Sequence, residues 1–169
     1  IGADKTVLQF APEATIDRYP EIDLFGYVKK TEEQKIRLAI VRLSNAVSLE
    51  SLKGENGINR TYYTYTISAD LDKVGIDEND GIEIENTEKT DRVIDLLDTI
   101  RYLHMDINEE KKDLEPLFII GGVYDFEDAI FHDILGVENN KVDIDKIKNV
   151  LKDVPYENAE TDTHCGLVK

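Results

Sequence analysis

Four aspartates fall close together near the middle of this 169-residue chain, Asp70, Asp72, Asp77 and Asp80. Carboxylates so gathered are what a hard divalent cation such as magnesium needs. The stretch "DENDGIEIE" (Asp77 to Glu85) also invites a calcium-loop reading. With Gly81 at the sixth position of such a loop, however, the first ligand would fall on Ile76, which is apolar. A solvated turn is the expectation. His104, His132 and His164 are too scattered for a zinc signature, and Cys165 has no CxxC partner, so neither metal nor cofactor is expected. Neighbours on a strand point to opposite faces, which keeps His164 from serving Cys165 as a base; Cys165 is expected as a small buried hydrophobe. "IGGVYD" carries neither phosphate-loop pattern, and no Ser, His and Asp arrangement can be assembled. The residues give catalysis no support beyond a surplus of acids.

A second set of candidates is cationic. The stretch "DLFGYVKKTEEQKIRLAIVRLSNAVSLE" (Asp23 to Glu50) holds Lys29, Lys30, Lys35, Arg37 and Arg42 in a chain of net charge −16. From Tyr27 to Arg60 there are seven basic residues against four acidic, a local net of +3, which leaves −19 for the remainder. Such a total repels nucleic acid if evenly spread, whereas a basic face within it can govern binding locally. The alternative is that these cations decorate exposed strand edges and discourage aggregation.

The elements that must position these residues are readable in outline. "AIVRLSNAVSLE" suits a strand that changes face near Ser44 and Asn45. "TYYTYTISADL" (Thr61 to Leu71), rich in Tyr, Thr and Ile, predicts a strand with alternating faces. "SLKGENGINR" between them is a turn or the stump of a longer loop. "NTEKTDRVIDLLDTIRYLH" places Val93, Leu96, Leu97, Ile100 and Leu103 at helical spacing behind an Asn86 or Thr87 cap. "LEPLFIIGGVYD" predicts a buried strand ending in a turn, "VDIDKIKNVLKDV" a second amphipathic helix, and "HCGLVK" the opening of another strand. The order strand, strand, helix, strand, helix, strand argues an α+β fold, with a ferredoxin-like sheet covered on one side as the candidate arrangement.

The length suits one domain with its own core. One cysteine excludes an internal disulfide, no run approaches the roughly 18 apolar residues of a membrane helix, and no apolar leader follows a basic start. The expectation is a protein of the cytoplasm without membrane contact. Because the chain opens on Ile-Gly and stops as an apolar strand begins, residues are expected to be missing at both termini.

Four blocks, "EIDLFGYVKK", "IVRLSNAVSLE", "YYTYTISADLDKVGIDEND" and "LEPLFIIGGVYD", in that order, resemble the DevR-type family of CRISPR-associated proteins, the backbone subunit of type I-B Cascade. The resemblance spans about Val7 to Lys169. It implies a single RNA-recognition-like, ferredoxin-like domain with inserted loops, of which 53–60 would be the remnant of a thumb-like loop. It also implies no enzymatic activity. The partners implied are CRISPR RNA, other Cascade subunits, further copies of the chain in a filament along the guide, and target DNA through that guide. The guide's backbone would be held independently of sequence in antiviral defence. On the matching positions, Lys29, Lys30, Arg42, Ser44 and Asn45 would contact the RNA backbone, with Lys53 and Arg60 at the base of the thumb. Arg42 is the strongest candidate, because its planar fork suits phosphate and Ser44 and Asn45 add neutral hydrogen bonds.

The family's opening strand and Arg-bearing helix are not present, and the thumb is too short. Two other functions stay open. One is metal-dependent RNA cleavage of the related type III kind, through Asp70, Asp72, Asp77 and Asp80. The other is a protein-interaction regulator without RNA affinity, working through its acidic helices.

Overall fold

A computed structural model describes residues 10–30, 32–49, 62–107, 110–126, 130–131, 134–138 and 141–167. In chain order its elements begin with α1 (Pro20–Phe25), β1 (Tyr27–Lys30), β2 (Gln34–Arg37), β3 (Val41–Leu43), β4 (Val47–Ser48), β5 (Tyr63–Thr64) and β6 (Ile67–Ala69). A short 3-10 turn (Leu71–Lys73) leads to β7 (Ile76–Asp77), β8 (Ile82–Glu83) and α2 (Asn86–Arg101). Then come β9 (His104–Ile107), β10 (Glu110–Asp113), β11 (Phe118–Gly122), β12 (Val137–Glu138), β13 (Lys141–Val142), α3 (Ile144–Asp153), α4 (Ala159–Asp162) and β14 (Thr163–Leu167). The architecture is α+β, built from small two-stranded ladders and a few helices.

The chain folds into two compact units that interleave in sequence. Unit 1 takes residues 1–42 and 68–98, and unit 2 takes 43–67 and 99–169. The division cuts across the sequence rather than falling at a linker, which is why composition gave no sign of it.

In unit 1 the apolar centre is Ala14, Ile16, Ile22 and Tyr27, with Ile82 packed against it. Helix α1 has Pro20 in its first turn, where the missing N–H costs nothing. It stops at Gly26, whose φ of 76° is open to glycine and whose missing Cβ leaves room for the backbone of Arg37 to Ala39. Strands β1 and β2 form an antiparallel hairpin with Val28 opposite Ile36 and Lys29 opposite Lys35. Its two faces are reversed from the usual order. Tyr27 and Lys29 are buried, whereas Ile36 is exposed. A second hairpin, β7 with β8, turns through Glu78 to Gly81. Helix α2 turns Lys89, Arg92, Val93 and Leu96 away from solvent, with Arg92 the most deeply buried of them, while Leu97, expected on the same stripe, is exposed; its last turn, with the half-buried Ile100, belongs to unit 2.

In unit 2, β4 pairs with β5 through Val47 opposite Thr64, and the N–H of Ser44 donates to the Thr66 carbonyl. Asn45 and Ala46 therefore stand opposite Tyr65 alone, two residues against one, as in a β-bulge. This interruption falls where the sequence placed a change of face, at Ser44 and Asn45, although Leu43, Asn45, Ala46 and Val47 are all exposed and no change of buried face is seen. It also divides the predicted Thr61 to Leu71 strand into β5 and β6, with Thr61 outside the described residues. Strand β11 pairs with β14 over five residues, from Phe118 opposite Leu167 to Gly122 opposite Thr163. A ferredoxin-like sheet would hold the Thr61 to Leu71 and Leu114 to Ile120 stretches together, but they lie in separate ladders, since β5 pairs with β4, β6 with β3 and β11 with β14. Helix α3 is capped by the Asp143 carboxylate, which accepts from the Lys146 N–H, and it buries Ile147. Cys165 is exposed, contrary to expectation, as are its neighbours on β14 from His164 to Leu167.

Candidate nucleic-acid interface

The cations of the basic stretch are held mostly by carboxylates of their own unit. Lys29 is completely buried; its ammonium donates to Asp80 and lies 4.1 Å from the centre of the Tyr27 ring. Lys35 donates to the other oxygen of Asp80 at 2.7 Å and to the Asn79 carbonyl at 2.8 Å. Tyr27 donates its hydroxyl to Asp77 at 2.8 Å, and Asp77 also accepts from the Asn79 N–H. The Asn79 amide reaches back to the Ile36 carbonyl. One hairpin thus closes its polar face on the turn of the other, and in the "DENDG" turn Asp77 and Asp80 act as acceptors while Glu78, Asn79 and Gly81 are exposed, as expected of a solvated turn.

These pairings displace proton equilibria in opposite directions. Burial alone would push the Asp80 carboxyl up, but hydrogen bonds and charge from Lys29 and Lys35 outweigh it and hold the group below its ordinary value. Burial, and then the hydrogen bond to the Asp77 carboxylate, push the Tyr27 hydroxyl up to about 12.

A second centre is Asp23, fully buried between Ile22 and Leu24. Its carboxylate accepts from Arg37 at 2.6 Å, from Arg92 at 2.8 Å and from the N–H of Gly75 at 2.9 Å. Arg37 further donates to the carbonyls of Ile76 and Lys73. Gly75 has a φ of 71°, and a Cβ there would run into the Ile84 side chain. Arg92 also pairs with Glu88, while its Nε, buried, finds no acceptor among the described residues. The two guanidiniums, Arg92 buried and Arg37 half-buried, are balanced by Asp23 and Glu88 and leave no net charge for a ligand.

Arg42 differs from these. It is about 60% exposed and pairs with Asp70 at 2.7 Å; Asp70 also takes Lys73, about 61% exposed, at 3.0 Å. Surface pairs of this kind stabilise by only about 0.2–1 kcal/mol, so a competing anion can exchange for them.

Of the residues carried over from the family resemblance, Lys30 and Arg42 are exposed in unit 1. In unit 2, Asn45 is exposed, while the half-buried Ser44 uses its hydroxyl to accept from the Thr66 N–H and donate to the Asn45 carbonyl. Lys29 departs from the expected placement: a buried ammonium paired with Asp80 cannot reach a phosphate without breaking that pair. Lys53 and Arg60 lie outside the described residues. Asp70, Asp77 and Asp80 each already accept from a cation or a hydroxyl, and among the described residues no cluster of three or more His, Cys, Asp or Glu side chains is placed to hold a metal ion.

Sequence reasoning did not single out Asp23, Lys73 or Arg92. Two of them carried a signal: Asp23 interrupts the apolar Ile22–Leu24 pair, and Arg92 sits on the inward stripe of α2. Lys73 carried none. Among the described residues no helix is long and apolar enough to cross a membrane. Comparison with protein-family models, with curated proteins and with solved structures returned no match.

Proposed function

We propose that this chain binds single-stranded RNA through the phosphodiester backbone, as the guide-holding backbone subunit of a type I-B Cascade complex, without catalysing a reaction. The observation that carries the reading is the exposure of Arg42 on a weakly held surface pair, in a stretch where Lys29, Lys35 and Arg37 are held by Asp80 and Asp23. Lys30 and Asn45 are the further contacts it favours. Lys29 becomes a residue that holds the β1–β2 hairpin in place. A ferredoxin-like core belongs to the same reading and rests on the order of strands and helices expected from the sequence; the described strands pair only two by two. Cytoplasmic location, companion subunits and a filament along the guide also follow from the family resemblance and stand or fall with it.

The test is filter binding of unrelated single-stranded RNAs across salt concentrations. Each phosphate contact contributes a slope of roughly −0.7 in log affinity against log salt. Lys30→Ala with Arg42→Ala should make the slope shallower by about 1.4 for every RNA sequence, whereas Lys29→Met should leave it unchanged. A slope that is the same in the wild type and the double variant rejects the reading.

The internal neutralisation of Lys29, Lys35 and Arg37 favours a second function, a protein-interaction module without RNA affinity. Absorbance at 260 against 280 nm after purification at low salt separates the two: co-purifying RNA supports the first, and its absence from the full chain the second.

A further inference from the structure

Resting on the RNA reading, a more specific arrangement follows from the only carboxylate among the described residues that holds two well-exposed cations of unit 1. We infer that Arg42 and Lys73, joined through Asp70, form one site for a single backbone phosphate, and that Asp70 weakens this site by competing with the phosphate for both cations.

The geometry supplies each part. Asp70 presents one oxygen, Oδ2, to both Arg42 and Lys73. A carboxylate oxygen so placed stands in for a phosphate oxygen, since guanidinium and ammonium groups meet both anions with the same donors. The backbone beneath is fixed. The Asp70 N–H donates to the Ile40 carbonyl at 3.1 Å, and the Lys73 N–H donates to the Asp70 carbonyl at 3.1 Å. Arg42 and Lys73 are therefore held on one short span, while their heads remain largely in water. Arg42 and Lys73 against Asp70 leave a net charge of +1 near the surface, whereas Arg37 and Arg92 are balanced by Asp23 and Glu88 around a buried carboxylate. A phosphate arriving here meets pre-positioned donors and a carboxylate that must yield at least one of them. Lys73 accordingly joins Arg42 as an RNA contact, although nothing in the sequence marked it.

The test is RNA filter binding with the full chain at low salt. Asp70→Asn should tighten binding about two- to fivefold, the change expected when a competing surface pair is lost. Arg42→Ala and Lys73→Ala should each weaken binding, and the double variant should make the salt slope shallower by about 0.7, the value for one phosphate. The gain from Asp70→Asn should vanish when Arg42 and Lys73 are both alanine. An equal gain in that background would show a general charge effect and overturn the inference. So would a Lys73→Ala variant that binds as tightly as wild type while Arg42→Ala does not. In those outcomes the RNA reading survives; wild-type protein that shows no salt-dependent RNA binding overturns both. Arg42 and Lys73 are at the surface and Asp70 is half-buried, and an unchanged thermal midpoint confirms that each variant is folded.

Discussion

At the residue scale, the reversed polarity of the β1–β2 hairpin makes Asp80 and Lys29 unequal partners. Lys29→Met removes a buried charge and leaves Asp80 bound to Lys35, whereas Asp80→Ala strands a fully buried ammonium. Breaking a buried pair from the side that leaves the other charge uncompensated costs about 3–5 kcal/mol, and replacing the charge by an apolar group of similar volume costs far less. Urea denaturation should rank Asp80→Ala well below Lys29→Met in stability; the reverse order would mean that Lys29 is solvated. Because the folded Asp80 carboxyl titrates below its ordinary value, its contribution is present above the unfolded value near pH 4 and is lost as pH falls through the folded one. Asp80→Asn should flatten the acid limb of the stability curve. Tyr27 works in the opposite sense. Its folded value is raised to about 12, so its contribution is complete below about pH 10 and is lost as pH rises toward 12. Phenolate absorbance at 295 nm should show one tyrosine titrating last, and Tyr27→Phe should remove that step.

At the element scale, the turn before β7 depends on a backbone that only glycine adopts freely. Gly75→Ala would combine a positive φ with a clash against Ile84 and would disturb the N–H that Asp23 accepts, so it should cost more than the roughly 1 kcal/mol of left-handed strain alone. Asp143→Ala, which only removes the cap of α3, should cost about 1 kcal/mol. Chemical denaturation of the two variants checks the contrast. The elements themselves differed in how far they could be read from the sequence. Helices α2 and α3 announce themselves because an inward stripe every three or four residues is a strong local signal. Helix α1 does not, since six residues hold too little periodicity, although Pro20 and Gly26 bracket it. The partners of Lys29 and Asp23 were invisible for another reason: Asp80, Gly75 and Arg92 lie about fifty to seventy residues further on, and a charge count along the chain cannot show which acid reaches which base. Local counting found the basic stretch and could not show that most of it is neutralised from elsewhere.

At the scale of the molecule, the interleaved division makes a sharp statement about truncation. A fragment of residues 1–98 contains both segments of unit 1, together with residues 43–67 that belong to unit 2. It should unfold cooperatively and keep the late-titrating Tyr27, whereas a fragment of residues 1–67 should lose both features because Asp77, Asp80 and Arg92 are gone. An ordinary tyrosine titration in the longer fragment would mean that unit 1 needs residues 99–169. The distance along the chain from Asp23 to Arg92 has a further consequence, in the order of synthesis. Asp23 leaves the ribosome with no partner for its charge, and at about 5–20 residues per second Arg92 follows roughly 3–14 s later. Until then the carboxylate must remain hydrated, and Ile22 and Leu24 on either side of it cannot be fully buried. Unit 1 therefore cannot close before the arrival of α2, and the nascent segment up to Arg42 spends those seconds with its lysines and arginines exposed to whatever anions surround it.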